Sequence, residues 1–303
     1  MKKRLSQLAV VITALFACLI FPACLDLASQ TTDKETVVQN TIDIYALYEA
    51  YLQEYPDALF ADFMQSLSIP YYDTEYATAK AIKSAVSVYS TFTKRVMVRP
   101  WQYSDRESVV SGAGVIYKIT DSDVYIITNY HVIYDQDSTT EDKFADSIEV
   151  YIYGHEGGGG ILATFLGGDM DKDIAVLKAK KADFQSDIKE ATIADSGEVK
   201  LGSAVIAIGN PLSEGIAVTS GVVSVVSDTI NMEALDSASR TVTMQVIRTD
   251  AAVNSGNSGG GLFNIRGELI GIVNAKTAQS GVENMGYAIP SNIMLEIVKE
   301  FVT

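Results

Sequence analysis

Apolar residues change their spacing along this chain near residue 85. Upstream, Ile44, Leu47, Tyr48, Tyr51, Leu52 and Tyr55 recur every three or four residues, as do Leu59, Phe60, Phe63 and Leu67. At that period side chains share one face of a helix. Pro56 separates the two runs and Pro70 follows the second, so the spacing predicts two short helices in a helical segment over residues 31–84. The tyrosine-rich stripe suits either packing against its own chain or a partner or oligomerisation surface. Downstream the period falls to two. Val86 and Val88, then Val124, Ile126 and Ile127, then Ile148, Val150 and Ile152 mark short strands, divided by turn signals such as Asp121-Ser122-Asp123 and the four glycines at 157–160. Apolar runs continue at 174–177, 205–208, 218–226, 242–247 and 269–273. Only residues 291–301 return to a helical pattern, with Ser291 as the expected N-cap. Many short strands with few helices between them predict an all-β barrel or sandwich.

Composition fits a globular chain: 303 residues, 48% hydrophobic, 20% charged and six prolines. A formal charge of −15 excludes nucleic acid as the natural partner and opposes electrostatic docking of the whole chain on anionic lipid. The first two dozen residues follow another logic. Met1-Lys2-Lys3-Arg4 is basic, residues 8–21 are almost unbroken apolar, and Ala23-Cys24 closes the run, which is the pattern of an export signal. Phe21-Pro22-Ala23-Cys24 resembles a bacterial lipobox, with lipidation expected at Cys24; Leu15-Phe16-Ala17-Cys18 is a second candidate. Simple cleavage and an uncleaved anchor of roughly 18 apolar residues are the alternatives. Both cysteines lie in this segment, so a disulfide framework is excluded from the rest. The expected division is a signal over 1–24, a helical extension over 25–84 and a β domain over 85–303.

Candidate chemistry centres on Val253-Asn254-Ser255-Gly256-Asn257-Ser258-Gly259-Gly260. Gly/Ser/Asn clusters ordinarily mark turns, so a nucleophilic Ser258 needs partners. The stretch fits G-x-S-x-G, but in α/β-hydrolases the histidine follows the serine, and here no histidine lies beyond position 155. The two candidate bases are His131, at the end of an apolar strand, and His155, in a glycine-rich loop. A base must be held rigidly, which favours His131. The carboxylate that orients it is expected at Asp173, which opens the apolar run 174–177, whereas Asp169 and Asp171 read as loop residues. The alternating aspartates do not form a calcium loop, because Ile174 stands at the glycine position and Lys180 at the bidentate glutamate position.

The order His131, Asp173, Ser258 on an all-β frame resembles the chymotrypsin-fold serine proteases of the HtrA (Deg) family. Thr128-Asn129-Tyr130-His131-Val132 is similar to that family's T-N-x-H-V, and Asp173-Ile174-Ala175-Val176-Leu177 to D-[IL]-A-[VL]-[IL]. The run from Thr249 to Gly260 resembles T-D-A-A-I-N-x-G-N-S-G-G. Ala207-Ile208-Gly209-Asn210-Pro211, Val218-Thr219-Ser220-Gly221-Val222-Val223-Ser224 and Gly286-Tyr287-Ala288-Ile289-Pro290-Ser291 add further matches in the family's order.

The resemblance implies a double β-barrel with a C-terminal helix. It implies a catalytic triad of His131, Asp173 and Ser258 with no cofactor or metal, and an oxyanion hole at Gly256, Asn257 and Ser258 supplied by the backbone N–H groups of Gly256 and Ser258. The residue six before the nucleophile, Ala252, would floor an S1 pocket lined by the strand through Asn274 and Ala275, which implies small or medium aliphatic P1 residues rather than basic ones. Segments around 133–147 and 228–240 are the expected loops of a resting state. The expected substrates are unfolded exported polypeptides, cleaved at the extracytoplasmic side of a bacterial cell envelope, with a trimer implied by resemblance alone. The family usually carries PDZ domains after the protease, and only 45 residues follow Ser258, so PDZ-linked regulation is expected to be absent. The contrasting expectation is a peptide-binding or chaperone-like module that kept the fold without catalysis.

Overall fold

Strands that read as unbroken apolar runs are the ones buried on both faces. In the computed structural model, residues 44–67, 72–155, 158–185, 187–237, 239–275 and 285–302 are described. The export segment and Cys24 lie outside them. Six antiparallel strands, β1 (Ala85–Arg99), β2 (Gln102–Ile119), β3 (Asp123–Thr128), β4 (Ser147–Ile152), β5 (Ile161–Asp169) and β6 (Ile174–Lys180), close a barrel in the order β1-β2-β3-β6-β5-β4. Six more, β7 (Ala204–Gly209), β8 (Ala217–Glu233), β9 (Thr241–Thr249), β10 (Gly261–Asn264), β11 (Leu269–Val273) and β12 (Gly286–Pro290), close a second in the order β10-β11-β12-β9-β8-β7. The all-β expectation and the double barrel hold.

Alternation along these strands sorts side chains into separate cores. On β6, Ala175, Leu177 and Ala179 fill the first barrel, while Ile174 and Val176 point into a different cluster. On β7, Val205 and Ala207 fill the second barrel, while Ile206 and Ile208 join that same cluster. Val115 and Ile127 from the first barrel and Leu269, Ile272 and Ile289 from the second complete it. The two barrels are therefore joined by a continuous apolar core built from the outer faces of their strands. Helix Ser291–Val298 seals this joint through Met294, Ile297 and Val298. Its first residue does not cap it: the Ser291 hydroxyl donates instead to the Ala194 carbonyl at 2.7 Å, tying the helix start to the loop before β7.

The chain divides into units 1–71 and 72–303. In the first, helices α1 (Ile44–Leu52) and α2 (Phe60–Ser66) form as their spacing predicts, and the tyrosine stripe meets the phenylalanines of α2. Tyr48 lies edge-on to Phe60 with ring centroids 5.0 Å apart, and Tyr51 meets Phe63 at 5.4 Å. A third helix, α3 (Thr74–Ala81), starts at an Asp73 cap that accepts the Tyr76 N–H at 2.8 Å. It belongs to the second unit, which begins at Tyr72 rather than at 85, because Ala77 and Ala81 are buried in the inter-barrel core. Small residues let this short helix lie close to the barrel, where Gly267 packs against Lys80 and the Ala77 carbonyl. No helix among the described residues is long and apolar enough to cross a membrane.

Met294 is wholly buried at the joint, so Met294→Ala should cost about 2–5 kcal/mol. Because the joint is shared, denaturant unfolding followed by two probes, one in each barrel, should show a single transition moving to lower midpoint. Two separated transitions would show that the barrels do not depend on a common core.

Candidate active site

Each barrel delivers part of one site. Strand β3 ends at Thr128, and a single helical turn, α4 (Tyr130–Ile133), follows it directly. His131 thus stands on that turn rather than at the strand end, and buried Tyr130, Val132 and Ile133 hold the turn in place. Asp173 occupies the tight connection from β5 to β6 with φ 53°, a left-handed conformation that aspartate tolerates better than most residues. The Asn129 side-chain amide donates to the Asp173 carbonyl at 2.8 Å and fixes the turn. Ser258 lies in the loop between β9 and β10 of the second barrel, and its carbonyl accepts the Ala113 N–H of β2 at 2.8 Å. That bond ties the serine peptide to the opposite barrel.

The three side chains meet as the sequence predicts. His131 Nδ1 is 2.6 Å from Asp173 Oδ2, and His131 Nε2 is 2.9 Å from Ser258 Oγ. Asp173 Oδ1 also accepts the backbone N–H of His131 at 2.9 Å. An ionised carboxylate can only accept, so it selects the imidazole tautomer protonated on Nδ1 and leaves Nε2 to accept the Ser258 hydroxyl proton. The Asp173 side chain is 3% exposed and that of His131 16%, which shields the chain of bonds from competing water while leaving an edge of the ring accessible. His155, the other candidate base, is exposed in the turn after β4.

Gly256 has φ 95°, and a Cβ there would fall 2.0 Å from the Asn210 carbonyl oxygen. The position therefore demands glycine on both conformational and steric grounds. The N–H of Asn257, between the two expected donors, is committed to the Asn254 carbonyl at 3.0 Å. The backbone N–H groups of Gly256 and Ser258 donate to no acceptor among the described residues, as a site awaiting an anionic oxygen requires.

Pocket residues depart further from expectation. Ala252 is exposed, its carbonyl held by the Thr219 hydroxyl at 2.9 Å. Asn274 does not line a pocket: it is wholly buried, and its side-chain amide donates to Asp173 Oδ2 at 2.8 Å. A lone amide closing the apolar run 269–273 was the sequence signal for such an inward role. Ala275 stands beside the serine and donates its N–H to Ser258 Oγ at 3.2 Å. The strand expected through Asn274 and Ala275 ends at Val273, and residues 276–284 lie outside the described ones.

Segment 228–240 is no open loop. Strands β8 and β9 pair out to Glu233 and Thr241, Leu235 joins the core of the first barrel, and Arg240 donates to Asp236 and Asp171 at 2.7 and 2.9 Å. These two carboxylates, Asp236 foremost, raise the Arg240 pKa above its ordinary value. The hairpin thus closes a hollow lined by His131, Tyr134, Asp135, Gln136 and Leu235. Segment 133–147 is folded as well, with Tyr134 bridged to Phe144 and its rings packed at a tilt against Tyr130 and Phe165.

Two antiparallel barrels with a serine, histidine and aspartate joined across their cleft define the trypsin-like class of peptidase folds. A family profile described as trypsin-like peptidase domain matches residues 112–272, and the chain belongs to that family. Among its relatives, the serine protease Do-like HtrA of Lactococcus lactis subsp. cremoris (strain MG1363) is 39% identical over 199 residues, covering 63% of this chain and 45% of the relative. The serine protease Do-like HtrB of Bacillus subtilis (strain 168) is 40% identical over 190 residues, covering 62% of this chain and 38% of the relative. The chain thus spans less than half the length of these relatives. A structure of the HtrA-type protease AlgW with a decapeptide superimposes with a TM-score of 0.56 and 28% identity over 76% of this chain and 67% of AlgW.

Replacing Asn274 by Ala would leave a buried carboxylate short of one donor, a loss of about 1–3 kcal/mol. Equilibrium unfolding should show it, and Asn274→Asp should be worse than Asn274→Ala, since it sets a second carboxylate against Asp173. Equal stability of Asn274→Asp and the parent would show that the amide does not serve Asp173.

Proposed function

We propose that this chain is a serine endopeptidase acting through Ser258, His131 and Asp173 on unfolded exported polypeptides. The observation that carries the reading is the unbroken line of hydrogen bonds from Asp173 Oδ2 through the imidazole to Ser258 Oγ. In this reaction Ser258 Oγ attacks the scissile carbonyl carbon while His131 Nε2 takes the hydroxyl proton. The carbonyl oxygen becomes an oxyanion that accepts the N–H groups of Gly256 and Ser258. Asp173, supported by Asn274 and the His131 N–H, stabilises the imidazolium without taking its proton. Collapse of the tetrahedral adduct breaks the C–N bond, and the imidazolium proton leaves with the amine. Water then attacks the acyl-enzyme by the same route in reverse, releasing the acid and restoring the serine.

Polypeptide substrates are supported by the kinship with Do-like serine proteases, and an alanine at 252, the position the resemblance gives to the S1 floor, offers a basic P1 side chain no partner. The hollow beside His131, partly apolar through Tyr134 and Leu235, suits a neighbouring substrate residue. The basic and apolar segment ahead of Cys24 supports tethering at a membrane on the extracytoplasmic side, with the helical extension and the peptidase domain following it. A homo-oligomer, a trimer by resemblance, is proposed on kinship with the HtrA family.

Digestion of reduced casein, with new termini read by mass spectrometry, tests the reading. The protein should cleave after small and medium aliphatic residues, and Ser258→Ala should lower kcat on the order of 10⁶-fold. Casein left intact by the parent protein but bound by it would identify a peptide-binding module instead.

A further inference from the structure

The first hairpin outruns its barrel. Strand β4 pairs with β1 only as far as Thr91↔Ser147, and an isolated bridge joins Lys94 to Ser138. Past that point β1 pairs only with β2, through Arg95↔Asp105, Val96↔Ser104, Met97↔Tyr103 and Arg99↔Gln102. At about 3.3 Å per residue this two-stranded ribbon projects roughly 16 Å beyond Lys94. Every residue from 97 to 107 is exposed, so neither face of the ribbon is covered by the described residues.

The tip is not built as a solvent loop. Its turn is Pro100-Trp101, and Trp101 has φ 61°, at a place where turns favour glycine or asparagine. The residue placed there is the one tryptophan of the chain, and it is 91% exposed. Met97, Tyr103 and Val98 follow at 59%, 55% and 40%. Charge is distributed unevenly as well. Residues 76–104 contain no Asp or Glu and five Lys or Arg, in a chain with 38 acidic residues. At the tip Arg99 stands between Val98 and Pro100 and opposite Gln102, and Arg106 and Lys94 face each other across the strands further down.

We propose that this hairpin tip inserts into the interface of a bilayer carrying anionic headgroups. A convex ribbon with apolar side chains on both faces offers no groove for a peptide, but it is a wedge for an interface that yields around it. Trp and Tyr favour that depth because the ring body is apolar and the N–H or O–H stays among headgroups. Arg99 and Arg106 lie where lipid phosphates would meet them, whereas Lys94 and Arg95 are ion-paired with Asp135 and Asp105. The acidic body of the chain opposes a flat approach to such a surface, yet the reach of the ribbon exceeds the Debye length of about 8–10 Å. The tip therefore meets the lipid under its own local charge. The inference is independent of the proposed chemistry at Ser258.

Because Trp101 is the single tryptophan, its fluorescence reads the tip directly, even in a chain held to vesicles by its N-terminal segment. The full chain is mixed with vesicles of phosphatidylcholine alone or with phosphatidylglycerol added, each with and without bromine on the acyl chains. Insertion predicts a blue shift and bromine quenching that are stronger on the phosphatidylglycerol vesicles. It also predicts loss of quenching in the double variant Met97→Ser/Val98→Ser and weaker quenching in Arg99→Glu. Emission that stays water-like and unquenched on vesicle-bound protein would overturn the proposal. An equal response on both vesicle types would do so for the role of the cations. A blue shift in lipid-free solution that grows with protein concentration would assign the tip to a second copy instead.

Discussion

The seam between the two barrels is the constraint on which the site depends. His131 and Asp173 come from one barrel and Ser258 from the other, so a hydrogen bond of 2.9 Å between imidazole and hydroxyl requires the barrels to be docked to within a few tenths of an ångström. The apolar core made by Ile127, Ile174 and Val176 on one side and Ile206, Ile208 and Ile272 on the other provides that docking, since close-packed interiors resist small displacements. Two polar ties sharpen it. The Ala113 N–H grips the Ser258 carbonyl from the first barrel, and the Asn274 amide reaches from the second to Asp173.

The polar part of the seam is costly unless fully paired, because buried groups without partners lose their hydration. Asp173 meets that demand by accepting three donors, two from His131 and one from Asn274. Its left-handed backbone is held by Asn129. On the acceptor side of the chemistry the demand runs the other way. Among the described residues the Gly256 and Ser258 N–H groups have no acceptor, which the tight turn against Asn210 allows and a side chain at 256 would prevent. The hairpin carrying Leu235 and Arg240 adds a third tie from the second barrel to the first, ending at Asp171, two residues from Asp173.

Much of this was readable before any coordinates, for physical reasons that differ by element. Period-two runs exposed the strands, and the runs with no polar alternation, 174–177, 205–208 and 269–273, are those with a core on each side. The grouping of His131, Asp173 and Ser258 was readable because a nucleophile needs a base and a carboxylate, and the chain offers few of either in apolar settings. Helix α3 falls within the segment 31–84 read as helical but was not singled out, because its buried face is Ala77 and Ala81, too small to produce an apolar period. Asn274 was assigned to a pocket wall because its neighbours form a strand, whereas its direction is set by the seam, a tertiary fact. The hairpin 228–240 looked like a loop because its outer strands are half polar, although Ile230 and Met232 do alternate with Thr229 and Asn231. That the turn spends the Asn257 N–H on Asn254, between the two expected donors, is set by the turn's backbone and not by residue type.

The central claim is that the docked barrels hold Ser258 as a competent nucleophile. Labelling of the full chain with a fluorophosphonate probe, followed by peptide mapping, tests it most directly. The account predicts a single adduct on Ser258, absent in His131→Ala although that variant remains folded. An unlabelled parent protein, or an adduct that forms equally without His131, would contradict it.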